Sequence, residues 1–137
     1  VENDLRRSPI AFLATVTAVA AGIAGCAAPQ ISELRSMQPN ADFVTPGTVD
    51  CLFQAGVEHV SSYLGQTEPR FVWQKEASGD SAWFRQPLTL IELRPQSSAS
   101  TQVRRFQTPT AEALGQGNEL LAFLRASPCK SAKAATR

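Results

Sequence analysis

Thr45-Pro46-Gly47-Thr48-Val49-Asp50-Cys51-Leu52-Phe53-Gln54-Ala55-Gly56-Val57-Glu58-His59-Val60-Ser61-Ser62-Tyr63-Leu64 is the stretch whose reading sets the fold. A threonine followed by proline marks a helix start: the hydroxyl accepts from an unpaired N–H, and proline needs no donor in the first turn. From there Val49, Leu52, Phe53, Gly56, Val57, Val60, Tyr63 and Leu64 recur at steps of three and four, drawing one apolar stripe along a helix that Cys51 flanks. Asp50 falls in the first turns, where a negative charge meets the helix dipole favourably. Gly65 offers the left-handed residue that ends helices.

A single apolar stripe needs a second layer, and the residues that follow have strand character. Segments 70–75, 82–86, 88–94 and 101–107 are rich in aromatic and β-branched residues. Ser78, Gly79 and Asp80 make a hairpin turn, Pro87 divides what would be one long run, and residues 95–100 form a serine-rich turn. Every connection is too short for a parallel crossover, so the sheet is expected to be an antiparallel meander. Thr108 and Pro109 repeat the Thr-Pro start, with Thr110 a rival cap, and Leu114, Gly117, Leu120, Leu121 and Leu124 fit one face of a second helix that Pro128 ends. Gly115 and Gly117 weaken that helix by about 1 kcal/mol each relative to alanine. The expected architecture is α+β: helix, three- or four-stranded antiparallel meander, helix, with both helices on one face of the sheet.

Upstream of this domain the composition changes. Arg6 and Arg7 precede a run from Ile10 to Ile23 without a charged residue, which is the anatomy of a secretion signal. At about 15 residues it is shorter than the roughly 20 needed to span a bilayer. Ile23-Ala24-Gly25-Cys26 at its end resembles the lipobox of bacterial lipoproteins. That resemblance implies lipidation of the Cys26 sulfur, cleavage before it and acylation of the new amino terminus. Ala27, in place of the aspartate that tends to mark inner-membrane retention, implies the outer membrane, with the domain on the periplasmic face. An ordinary secretory signal cut at Ala24-Gly25, leaving Cys26 as a thiol, is the rival reading. Residues 1–25 are then the signal and 26–44 a lipidated terminus and flexible tether, in which a helical turn from Ile31 to Met37 is possible. Extended, such a tether would reach up to about 60 Å from the bilayer. Residues 45–129 form the one domain, and 130–137 a basic, disordered tail.

The chain has three cysteines. With Cys26 taken by the lipid, Cys51 and Cys129 remain as a pair, and an exported chain meets an oxidising compartment where such a pair is bridged. The bridge would clamp the two helices at one end if they lie roughly antiparallel. A net charge of +1 gives no bulk attraction to nucleic acid.

No catalytic or cofactor motif stands out, and the chain is expected not to be an enzyme. His59, the single histidine, falls opposite the apolar stripe and reads as solvent-facing. Asp80, Glu76 and Glu92 read as solvated turn carboxylates rather than an acid-base pair. No metal site emerges without a second histidine. The sheet offers more. By the two-residue period Phe71 and Trp73 share one face, and Trp83 shares a face with Arg85. Arg70, Trp83, Arg85, Arg94 and Arg104 are therefore the candidate interaction surface, mixing guanidinium and aromatic groups as docking surfaces do. An envelope protein or an anionic glycan or lipid is the partner class this suits, beside the membrane reached through Cys26. A carrier enclosing a small apolar ligand between helices and sheet is the alternative. Cys26→Ala is expected to leave an unprocessed or soluble product; a normally anchored product on membrane fractionation would refute the lipobox reading.

Overall fold

Residues 28–62 and 70–130 are described by the computed structural model. The expected signal, Cys26, the expected helix end at Tyr63, Leu64 and Gly65, and the residues after Lys130 lie outside the described residues. In chain order the elements are α1 (Ile31–Arg35), β1 (Ala41–Pro46), α2 (Val49–Ser61), β2 (Val72–Lys75), β3 (Ala82–Gln86), β4 (Thr89–Ser97), β5 (Ser100–Gln107), α3 (Pro109–Ala113) and α4 (Asn118–Arg125). The strands form one sheet in the order β1-β5-β4-β3-β2, and every neighbouring pair is antiparallel. The fold is therefore α+β, with the expected meander in β2 to β5.

The sheet has five strands rather than three or four, and the extra one is β1. It comes, like α1, from residues assigned above to the tether, so regular structure is already present at Ile31 rather than first at residue 45. Thr45 and Pro46 end this strand instead of starting a helix. Proline is tolerated there because an edge strand has one side without ladder partners. Thr45 is buried, and its hydroxyl donates to the Leu124 carbonyl at 3.1 Å. The cap is Thr48, whose hydroxyl accepts from the Cys51 N–H at 3.1 Å. Between strand and helix sits Gly47 at φ +115°, where a Cβ would lie 2.5 Å from the Cys129 Cβ. Both backbone angle and space require glycine at this corner.

Residues directly opposed in an antiparallel ladder share a face, so the register sorts the side chains. On one face Ala82, Phe84, Ile91, Leu93 and Val103 pack with Val49, Leu52 and Val60 of α2 and Leu120, Leu121 and Leu124 of α4. On the other face Leu90 and Phe106 pack with Leu34 of α1, flanked by Ile31, Met37 and Trp83. Helices thus cover both faces, not one. The reason lies in β4, where Leu90, Ile91 and Leu93 are all fully buried although they alternate in direction. Burying a leucine such as Leu34 stabilises by about 1.5–3 kcal/mol, enough to seat a helix too short to persist alone.

Thr108 caps the next helix as expected, accepting from the Ala111 N–H with Pro109 in the first turn. The predicted single helix is then divided into α3 and α4 by a turn in which Gly115 and Gly117 take positive φ. Leu114, assigned to the apolar stripe, is 69 % exposed in consequence. β4 also runs through Pro95 to Ser97 with an irregular register between them, so the turn before β5 is shorter than residues 95–100.

Cys51 in the first turn of α2 and Cys129 after α4 form the expected disulfide, with Cα atoms 6.2 Å apart. It spans a sequence separation of 78 residues. On the chain-entropy account, closing such a loop stabilises by about 4.5 kcal/mol. Reduction, or Cys51→Ser, is expected to lower the melting temperature by about 10 °C or more in calorimetry. An unchanged melting temperature would mean that the bridge contributes nothing.

Candidate functional site

The face of the sheet that carries α1 gathers the candidate surface. Opposed positions place Trp83, Glu92, Arg104 and Asp42 in one cross-strand row, Arg85, Leu90 and Phe106 in the next, and Arg94 with Gln102 and Val44 in a third. Trp83, Arg85, Arg94 and Arg104 therefore share this face. Arg70 is exposed and precedes β2 rather than lying in it.

These side chains are not a bare solvated row. Trp83 is half-buried against the Leu34 cluster. Arg85 donates to the carbonyl of Pro29, which ties the chain before α1 to β3. Arg104 faces Asp42 at 3.4 Å, and the same carboxylate accepts from Gln102 at 3.0 Å. Arg94 is the most open of the strand arginines, its side chain half exposed and one nitrogen 3.5 Å from Glu92.

Glu92 corrects the expectation of a solvated carboxylate: it is 3 % exposed. Arg35 donates to it from Nε at 2.7 Å and to Glu76 from Nη2 at 2.6 Å, so one guanidinium from α1 holds carboxylates of β4 and of the residue after β2. Burial lowers the Arg35 pKa, but the two hydrogen bonds outweigh it and hold the group above the ordinary arginine value. Beside this network opens a groove of about 320 Å³, lined by Arg35, Glu76, Ser78, Ser81, Glu92 and Arg94. It presents donors and acceptors of both charges, which suits a polar ligand or a polar patch of a partner. Asp80 stays exposed in the adjoining hairpin turn.

Elsewhere the chemistry is occupied in packing. His59 is not simply solvent-facing: it is half-buried and stacks on Phe123 at 4.1 Å with the rings 11° apart. On the α2 and α4 face Arg105 is buried and donates to Asn40 at 2.9 Å and Asn118 at 2.6 Å. Its burial pushes the guanidinium below the ordinary arginine value. Arg125 sits 4.3 Å from the centre of the Phe43 ring. No group of three or more metal-ligating side chains occurs among the described residues, and no helix there is long and apolar enough to cross a membrane.

Sequence reasoning did not single out Arg35 or the role of Glu76 and Glu92 as its partners. The usable signal was the three-residue step of Ile31, Leu34 and Met37, which gives a helical turn an apolar side and leaves Arg35 beside it. Fold and site together define a small α+β domain, a five-stranded antiparallel sheet with helices on both faces and a charged groove at the margin of the shorter one. No protein-family model matches the chain, and no curated protein or solved structure does so either.

Arg35→Met leaves Glu92 buried with one distant partner, and is expected to cost about 3 kcal/mol in urea denaturation. Adding Glu92→Leu is expected to recover part of that loss, because the unpaired charge is then gone. A double variant no more stable than the single one would show that Glu92 is not strained by losing Arg35.

Proposed function

We propose that this protein is a lipid-anchored envelope protein facing the periplasm, at the outer membrane, and that it acts as a non-enzymatic binding or assembly module. The lipobox resemblance supports the location. The working surface is the α1 face of the sheet, and the observation that carries this is the convergence of Trp83, Arg85, Arg94 and Arg104 on it beside an open polar groove. Arg94 holds most of its donors free of strong partners, since its one contact to Glu92 is at the limit of a hydrogen bond. A partner that supplies a carboxylate or another anionic group at the groove mouth would engage it bidentately.

The carrier alternative has less support. The space between α2 and the sheet is filled by Phe84, whose ring would lie 2.6 Å from a Cβ at Gly56 and packs on Phe53 at 5.5 Å.

A photo-crosslinking amino acid at Gln102, the cross-strand neighbour of Arg94, tests the docking surface in cells. One recurrent adduct is expected, absent when the probe sits at the exposed Ala122 of α4 and several-fold weaker with Arg94→Glu. The same adducts from both positions, or none from Gln102, would refute a partner at this face.

A further inference from the structure

The contact between Arg85 and Pro29 limits how far the domain stands from its anchor. Pro29 is three Cα–Cα steps from Cys26, with Ala27 and Ala28 between them, so the two Cα atoms are at most about 11 Å apart whatever path the chain takes. Pro29 is not free to drift: Arg85 of β3 holds its carbonyl, and Ile31 and Leu34 just beyond it are seated on Leu90 and Phe106. The 60 Å reach of a flexible tether is therefore not available, and the part of the domain around Pro29 stays beside the anchor.

The register shows what else lies there. Val72 opposes Arg85, Gln86 opposes Thr89, and Thr89 opposes Gln107, so the start of β2, the Pro87-Leu88 turn and the end of β5 form one end of the sheet. The Thr108 N–H donates to the Leu88 carbonyl at 3.1 Å, which brings the start of α3 to the same end. Gln107 donates to the Gln116 carbonyl at 3.1 Å, which brings the turn after α3 there too. Two large apolar side chains are conspicuously open at this end: Val72 is 61 % exposed and Leu114 is 69 % exposed. Arg70, also exposed, lies two residues before Val72, while Glu33 and Glu112 are the carboxylates of α1 and α3, so charge alone selects no partner.

Resting on acylation of Cys26, we propose that the domain rides on the bilayer itself, with the end of the sheet that carries Pro29, Arg85, Val72 and Leu114 set into the phospholipid headgroup layer. Acyl chains bury in the hydrocarbon and place the modified cysteine at its boundary. An anchor within about 11 Å of Pro29 then brings this end into the interfacial zone, where apolar side chains transfer favourably and arginines reach phosphates. The opposite end, with the hairpin turn at Gly79 and the groove, faces away from the membrane and stays open to a partner. The two surfaces meet only at Arg85, whose guanidinium the Pro29 carbonyl already engages, and Arg94 and the groove remain for the partner.

The test uses the full acylated chain in vesicles of phosphatidylethanolamine and phosphatidylglycerol, a fraction of the lipids carrying a nitroxide on the headgroup. With Cys26 acylated and Cys51 bridged to Cys129, an introduced cysteine at an exposed position is the free thiol for a fluorophore. Labels on Leu114→Cys and Val72→Cys are expected to be quenched several-fold more than a label on Val44→Cys, which is also exposed but two rows further along the sheet. The mass of the N-terminal peptide is read from the same vesicles. Acylated Cys26 with equal quenching at all three sites, or most at Val44, overturns the proposed orientation and leaves the anchoring intact. Unmodified Cys26 overturns the anchoring and the orientation with it.

Discussion

A central strand that is apolar on both sides governs this structure. Leu90 points to one face of the sheet and Ile91 and Leu93 to the other, and all three are completely shielded from water. A sheet with one wet face would leave Leu90 and its neighbour Phe106 exposed, at a cost of about 1.5–3 kcal/mol for each side chain. Two layers of cover are therefore needed. α2 and α4 supply one, which is large enough to be a conventional core. The other is supplied by five helical residues at the start of the described chain, held by Leu34 and by the ion pairs of Arg35.

That asymmetry explains which parts of the fold were legible. The α2 stripe, the turn at Gly79 and the break at Pro87 each follow from local chemistry that nothing distant opposes, and the pairing of Cys51 with Cys129 from the cysteine count once Cys26 is set aside. What was missed depends on long-range demand. The start at Thr45-Pro46 satisfies the local rule for a helix, yet those residues complete a ladder with Thr101 and Ser100 that only the folded sheet provides. Thr48 obeys the same capping rule three residues later. The segment before β1 looks polar because its apolar residues are few; the step of Ile31, Leu34 and Met37 shows a helical turn with an apolar side, but what that side covers was readable only from the opposite direction. The run Leu88-Thr89-Leu90-Ile91-Glu92-Leu93 lacks the alternation of a strand with one wet face, and so implies cover that had to come from somewhere.

The polar groups follow the same logic. Glu92 interrupts the apolar run because Arg35 reaches it, and a carboxylate so buried is tolerable only when paired. The alternation that put Trp83, Arg85, Arg94 and Arg104 on one face was visible in advance, but their differing availability was not. Arg85 is engaged with a backbone carbonyl and Arg104 with Asp42, while Arg94 keeps its side chain half in water. Availability is set by partners on other strands and on α1, and the period of a single strand carries no information about them.

The disulfide sets an order on maturation as well as a bond in the product. Cys129 is the last buried residue of the described chain, whereas Cys51 belongs to α2, the longest helix among the described residues. A chain made from its amino terminus can assemble α1, β1, α2 and the entire meander while Cys51 is still an unpaired thiol. The covalent lock closes only after α4 has been delivered, at the corner where Gly47 leaves room for the Cys129 side chain. The bond thus records completeness: a chain that stops short of Cys129 cannot form it and keeps Cys51 as a thiol.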